Sequence, residues 1–291
     1  MLSEFFKLKN ARGKFILLLV FICFSQSKLL LCQIEISEEF KLAKANWLAA
    51  NNQQAEEGFK AVVKRSKNLE ILAQSYYYLA DIHHARGDFL KAIEYDKKIL
   101  EMDLPSSTLK HSNMNGDHLK HLACSTLADL HLSLNRFKDA IRYLNLELTD
   151  YSSEKSLVNF GPFKPPAMFK SFDAKRWADA YIGLGQYDSA AIALLPYAFG
   201  ENPENRIVFE KFCEIISKAF SSVYAKSEVK KMLLSQPIID KENKTIRITI
   251  FNKNLAIPND ESLRMYYISD ETLNDFLINS NPIKYLLSIE W

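Results

Sequence analysis

The chain has 291 residues, 48% hydrophobic and 25% charged, with a formal net charge of +2. That is long enough for one large domain or two modest ones, with the composition of a folded globular protein. So small a charge gives no electrostatic argument for nucleic acid or a membrane surface as partner, and only 8 Gly and 9 Pro argue against long disordered stretches.

Lys7, Lys9, Arg12 and Lys14 precede an apolar run from Phe15 to Phe24, and Ser25-Gln26-Ser27 follows. A basic start, a short apolar stretch and a small-residue exit predict a signal peptide over residues 1–27. The run is too short to span a bilayer comfortably, and Lys28 interrupts its extension, so no stable membrane span is expected after cleavage. Cleavage implies export, to the periplasm or cell envelope of a bacterium; uncleaved, the same segment is a membrane anchor. Without it the balance is 33 basic to 34 acidic residues, so the apparent basicity belongs to the targeting segment. Cys23 lies inside the signal, and Cys32, Cys124 and Cys213 are odd in number and far apart, which indicates no disulfide framework. Leu31 before Cys32 disfavours a lipid anchor there, because that position is normally small.

From residue 36 a pattern repeats. A bulky apolar residue is followed by Ala, and 12 residues on comes a second Ala: Leu42-Ala43 with Ala55, Leu79-Ala80 with Ala92, Leu127-Ala128 with Ala140, Trp177-Ala178 with Ala190. Four residues past the second Ala stand Phe59, Asp96, Leu144 and Leu194, three apolar and one acid. Turn signals separate the halves: Gly87-Asp88-Phe89, Asn135-Arg136-Phe137 and Gly185-Gln186-Tyr187, with the weaker Ala50-Asn51-Asn52 in the first unit. Gly and Asn tolerate the left-handed conformation that ends a helix. Paired helices cross closely where both carry small side chains, and a lone hairpin must stack on neighbours to bury its apolar face.

This pattern resembles the tetratricopeptide repeat family. The clearest unit is Ala73–Ser106, with Tyr76-x2-Leu79-Ala80-x2-His83, Gly87-Asp88-Phe89-x2-Ala92 and Ile99. His121–Glu154 and Ser171–Glu204 match nearly as well, and the unit from Ile36 to about Leu69 least, so the resemblance covers residues 36–204. It implies an all-α solenoid of antiparallel helix pairs in a right-handed superhelix. The first Ala recurs in steps of 37, 48 and 50 residues, against a family period of about 34. The excess falls near 104–120 and 151–170, which are loop-like in composition.

Beyond the repeats, residues 205–235 carry apolar positions at helical spacing and are expected to cap the stack, giving a solenoid over 36–235. Thr245–Phe251 alternates and is rich in β-branched residues, which predicts a strand, with Pro237–Ile239 as its hairpin partner. A short helix is expected over Glu271–Ile278, capped by Asp270, and a last apolar turn from Asn281-Pro282. Residues 236–291 therefore read as a small α/β module.

No Gly-rich phosphate loop and no nucleophile elbow is present. His111, His118, His121 and His131 cluster in sequence, but no acid or Cys stands at a spacing that completes a metal site. His83 and His131 fall where an aromatic packs between helices. No catalytic residue, metal or cofactor is expected, and the chain is not read as an enzyme.

By the resemblance, the residue after each first-helix Ala faces the concave groove. These are Lys44, Asp81, Asp129 and Asp179. Three Asp in register suit a basic or amino-terminal group of a protein or peptide ligand, or are solvated helix residues. Phe40, Trp47, Tyr77, His84, Ser125, Phe172, Lys175 and Ile182 complete the expected groove. The function expected is a protein-binding scaffold using that groove. The alternatives are an accessory subunit of an envelope or secretion assembly, binding through its edges and C-terminal module, and an enzyme whose site lies in that module. No feature sets an oligomeric state.

Overall fold

The computed structural model describes residues 35–105, 115–151, 167–200, 203–235, 237–242, 245–258 and 272–290. The expected signal segment, Cys32, Asp270 and most of both insertions lie outside the described residues. The fold is mostly helical, with paired adjacent helices and a small sheet near the C-terminus. It divides after Leu119 into two compact units.

The first unit holds α1 (residues 35–48), α2 (Asn52–Arg65), α3 (Leu69–Ala85) and α4 (Phe89–Glu101). Asn68 caps α3, its side chain accepting from the amides of Glu70 and Ile71 at 2.9 and 3.3 Å, which satisfies two of the orphan donors of the first turn. Phe40, Phe59, Tyr78 and Leu79 centre a buried cluster shared by α1, α2 and α3. The helices cross closely: a Cβ added to Gly58 would stand 2.8 Å from that of Ala43.

Helix α5 (Gly116–Ser133) crosses the division. The second unit continues with α6 (Phe137–Thr149), α7 (Ala167–Gly183), α8 (Tyr187–Leu194) and a 3-10 turn, Leu195–Tyr197. Then come α9 (Pro203–Ala219) and α10 (Ser222–Leu234). Sequence neighbours pack on one another from α6 to α9. The ring of Phe137 lies against Gly183, where any side chain would collide with it.

Four turns share one geometry, and it explains the spacing of the repeat. Ala50, Gly87, Asn135 and Gly185 all have positive φ, between 55° and 80°. In each, the amide of that residue bonds the carbonyl three back, and the next amide bonds the carbonyl five back. The second set is Asn51 to Asn46, Asp88 to His83, Arg136 to His131 and Gln186 to Tyr181, at 2.8–2.9 Å. These bonds satisfy carbonyls that a helix end would otherwise leave unpaired. Three of the four left-handed residues are the Gly or Asn the sequence singles out; in the first unit Ala50 takes the position.

The segment 205–235, expected to be helical, is two helices. Ser221 breaks it, its side chain accepting from the amide of Tyr224 at 3.3 Å. Strand β1 (Ile238–Asp240) pairs antiparallel with β2 (Thr245–Ile250), in the hairpin expected, with Ile238 opposite Arg247. A third strand, β3 (Lys253–Pro258), follows a two-residue turn. Both turn residues, Phe251 and Asn252, have positive φ, the twist that suits a tight hairpin. Phe251 is held there by stacking on Phe220, with ring centroids 4.3 Å apart. Helix α11 (Leu273–Asn279) starts two residues later than expected, with Thr272 at its cap, and α12 (Asn281–Ser288) completes the chain. Ile246, Ile248 and Ile250 turn inward from β2 into the cluster that also holds Phe212, Val229, Leu277 and Leu286. One core therefore runs from Ala174 to Ile289 and joins the sheet to the helices before it.

Candidate binding groove

The residues expected in the groove fall into separate groups. In the first unit, Lys44, Trp47, Tyr77 and Asp81 gather around Tyr78. The Trp47 indole Nε1–H donates to Asp81 Oδ2 at 2.8 Å, which joins the first helices of two successive pairs. Its ring lies 4.8 Å from that of Tyr78, and Tyr77 meets Tyr78 edge-on at 5.4 Å. Lys44 Nζ stands 5.9 Å from the centre of the Tyr78 ring, within cation–π range. Burial, then the charges of Asp81, Tyr78 and Asp96, push the Tyr77 phenol upward in pKa. His84 is exposed and lies by Phe89 at 5.9 Å. Phe40, expected to face the groove, is buried against Phe59 and Tyr78 instead, because its face of α1 is the one α2 covers.

In the second unit, Ser125, Asp129 and Phe172 converge on a residue the sequence reading did not pick out, Arg176. Its side chain is only 5% exposed. Nε donates to Asp129 at 2.8 Å, and Nη1 meets Asp173 at 3.1 Å and Glu147 at 3.2 Å. Nη2 donates to the Ser125 carbonyl, and the guanidinium lies 5.4 Å from the centre of the half-exposed Phe172 ring. A guanidinium presents five donors in one plane, so it can hold several acceptors at once. Burial pushes Glu147 up to about 7, with Arg176 opposing and Asp173 adding to the rise. His121 closes the cluster: its Nδ1 faces the Tyr151 carbonyl at 2.8 Å, and its Nε2 lies 3.6 Å from Glu147. Burial lowers the His121 pKa, favouring the neutral ring.

The Asp ladder thus meets donors within the fold. Asp81 binds Trp47, Asp129 binds Arg176, and Asp179 pairs with Lys211 on α9. Each link joins the first helix of one pair to the corresponding helix of the next. Asp129 and Asp179 keep 40% and 50% of their side-chain surface, so these acids serve the stack and still face solvent. Lys175 is half-buried and Asp179 exposed; neither joins the Arg176 cluster.

Glu147 and Asp96 had a signal in the sequence. Each stands on an apolar stripe of a second helix: Ala140, Leu144, Glu147 on α6 and Ala92, Asp96, Ile99 on α4. A charge on a buried stripe marks a place where something must answer it.

No family model matches the chain, and no curated protein or solved structure matches it significantly. His83 and His131, at matching positions in their repeats, are buried and stack on Tyr95 and Tyr143 at 5.6 and 5.3 Å. They fill the packing role expected of them. Among the described residues no group of three or more His, Cys, Asp or Glu is placed to hold a metal ion, and no helix is long and apolar enough to cross a membrane.

Proposed function

We propose that the chain is a non-catalytic scaffold that binds a protein or peptide along the first helices of its helix pairs, as the tetratricopeptide repeat resemblance implies. The observation that carries this reading is the set of accessible aromatic side chains that those helices hold around the aspartates in register: Trp47 and Tyr77, half-buried beside Asp81, and Phe172, half-exposed over the Arg176 that binds Asp129. Large side chains that are rigid and partly wet are typical binding hot spots. The four identical turns and the close crossing at Gly58 and Ala43 support stacked helix pairs as the frame. Residues 1–27 fit export to an envelope compartment, where the partner would be met.

A second reading, an accessory subunit bound through the C-terminal module, draws on a different observation. Leu234 is 84% exposed, and Ile238, four residues on, is also exposed and lines a hollow with Pro237, Arg247, Thr249 and Asn254. A surface concavity lined in part by exposed apolar side chains offers a partner a place to bind.

One experiment separates the two. The tagged full chain is used to capture partners from an envelope fraction, beside the variant His84→Glu/Phe172→Ser/Lys175→Glu and the variant Leu234→Glu/Ile238→Lys. A partner lost only from the first variant, at an unchanged unfolding midpoint, supports the groove. Loss from the second alone moves the function to the C-terminal module, and equal capture by all three counts against both.

A further inference from the structure

Asp96 is a buried acid without an answer. It is 1% exposed, and neither carboxylate oxygen meets a hydrogen-bond donor among the described residues. Burial first, and the charge of Asp81 second, hold its pKa well above the usual carboxylate range. Asp96 stands on α4, which packs against the α3 that carries Tyr77 and Asp81 one turn apart, and the charges of both carboxyls raise the Tyr77 phenol; Asp81 is partly exposed and Asp96 lies within. Lys44 lies over the ring of Tyr78, Lys60 and Arg86 bind Glu56, and Lys98 binds Glu94, so none of these cations bonds Asp96. A buried carboxyl left unpaired costs stability, and a fold retains such a cost most readily at a functional site.

The second unit shows a related set with a cation in it. Asp129 holds the register of Asp81, and Glu147 is a buried acid on the following helix, seven residues past Ala140 where Asp96 stands four past Ala92. There the guanidinium of Arg176 bonds both. Around Asp81 the walls are aromatic: the rings of Trp47 and Tyr77 lie 4.8 and 5.4 Å from that of Tyr78. Aromatic faces beside carboxylates favour a flat cation.

We propose that Asp81 and Asp96, walled by Trp47 and Tyr77, receive the guanidinium of an arginine side chain carried by the partner. The inference rests on the scaffold reading above and names the chemistry of its ligand. Asp81 accepts the guanidinium at the rim through the oxygen that Trp47 leaves open. Asp96 behind it gives up its proton as the cation enters, so binding releases a proton and tightens as pH rises.

The test uses the full 15N-labelled chain and N-acetyl-arginine amide as probe, with uncharged N-acetyl-citrulline amide as the matched control. The readout is the Trp47 indole signal, which reports on Asp81 directly and is assigned among Trp47, Trp177 and Trp291 by Trp47→Phe. The arginine probe is expected to shift that signal saturably, more tightly at pH 8 than at pH 6, and the citrulline probe is not. Asp96→Asn keeps the shape and removes the charge, and should weaken binding about tenfold or more. Asp81→Asn, which retains an acceptor for Trp47, should do the same. No saturable shift, an equal shift with citrulline, or unchanged affinity in both folded variants overturns the proposal. Failure here with partner capture intact removes the arginine site alone; probe binding without any captured partner removes the scaffold reading instead.

Discussion

Arg176 and Glu147 meet at 3.2 Å, and almost nothing of either side chain reaches water: 5% and 8% of their surface respectively. The guanidinium joins α6 and α7 and, through Asp129, reaches α5. Removing one member of a buried pair strands the other's charge, and the loss exceeds what the pair itself contributes. Arg176→Met is expected to destabilise the fold by about 3–5 kcal/mol in denaturant unfolding. Adding Glu147→Leu should restore most of that, because Asp129 and Asp173 are partly exposed and can turn to solvent. A double variant no more stable than the single one would show that Glu147 is not the acid Arg176 chiefly answers.

The same carboxyl sets a pH dependence. Glu147 ordinarily titrates at 4.5 and is pushed up to about 7 in the fold. The folded chain therefore holds this proton more tightly than the unfolded chain, and stability falls as pH rises between those values. Asp129, Asp173, Arg176, Ser125 and His121 surround it, and lowered His121 acts in the opposite sense, losing stability as pH falls below its ordinary 6.5. The difference between Glu147→Gln and the parent chain isolates the glutamate. It should grow in the variant's favour from pH 5 to pH 8, by up to about 3 kcal/mol. A constant difference across that range would mean that Glu147 titrates as it does in water.

Ala50 occupies a position that three other turns give to Gly or Asn, at φ 58°. A Cβ there crowds the backbone, at a cost of roughly 1 kcal/mol. Ala50→Gly should raise stability by up to about that amount, and Gly87→Ala should lower it comparably. Both substitutions are on the surface with no packing to lose, so the unfolding midpoints read the backbone effect directly.

Small residues at helix crossings leave no room for growth. Ala92 and Ala140 are wholly buried, and Gly58 sits against Ala43. Ala92→Leu, Ala140→Leu and Gly58→Ala are each expected to destabilise by about 1–3 kcal/mol through overpacking. Unchanged thermal unfolding in all three would count heavily against the helix-pair register.

The helix pairs were readable in the sequence because their determinants are local: an Ala at each crossing and a left-handed residue at each turn, a fixed distance apart. Strand β2 was readable for the same reason, since Ile246, Ile248 and Ile250 alternate with polar neighbours. Strand β3 was not. Its turn, Phe251-Asn252, lacks glycine and is held by stacking on Phe220, some thirty residues earlier in the chain. The Asp ladder was visible as a register, but its partners were not, because Trp47, Arg176 and Lys211 stand on neighbouring helices at separations of 34, 47 and 32 residues. Insertions of unequal length decide which side chain arrives opposite each Asp. Arg176 carries no signal of its own in the sequence, because an arginine on a helix is ordinarily solvated.

Asp96 stands where the other three repeats place Phe59, Leu144 and Leu194. If its charge serves binding rather than folding, the apolar residue of the neighbouring repeats should fit the site better than the acid does. Asp96→Leu is expected to stabilise the chain by about 1–3 kcal/mol, since it removes a desolvated, unpaired carboxyl and fills the same space with apolar surface. The gain should widen with rising pH, because an acid whose pKa is raised in the fold withdraws stability as it is forced to ionise. Denaturant unfolding at pH 6 and pH 8 measures both effects. A loss of stability in Asp96→Leu at both values would show that the acid has a partner within the fold, and the reason to assign it to a ligand would go with it.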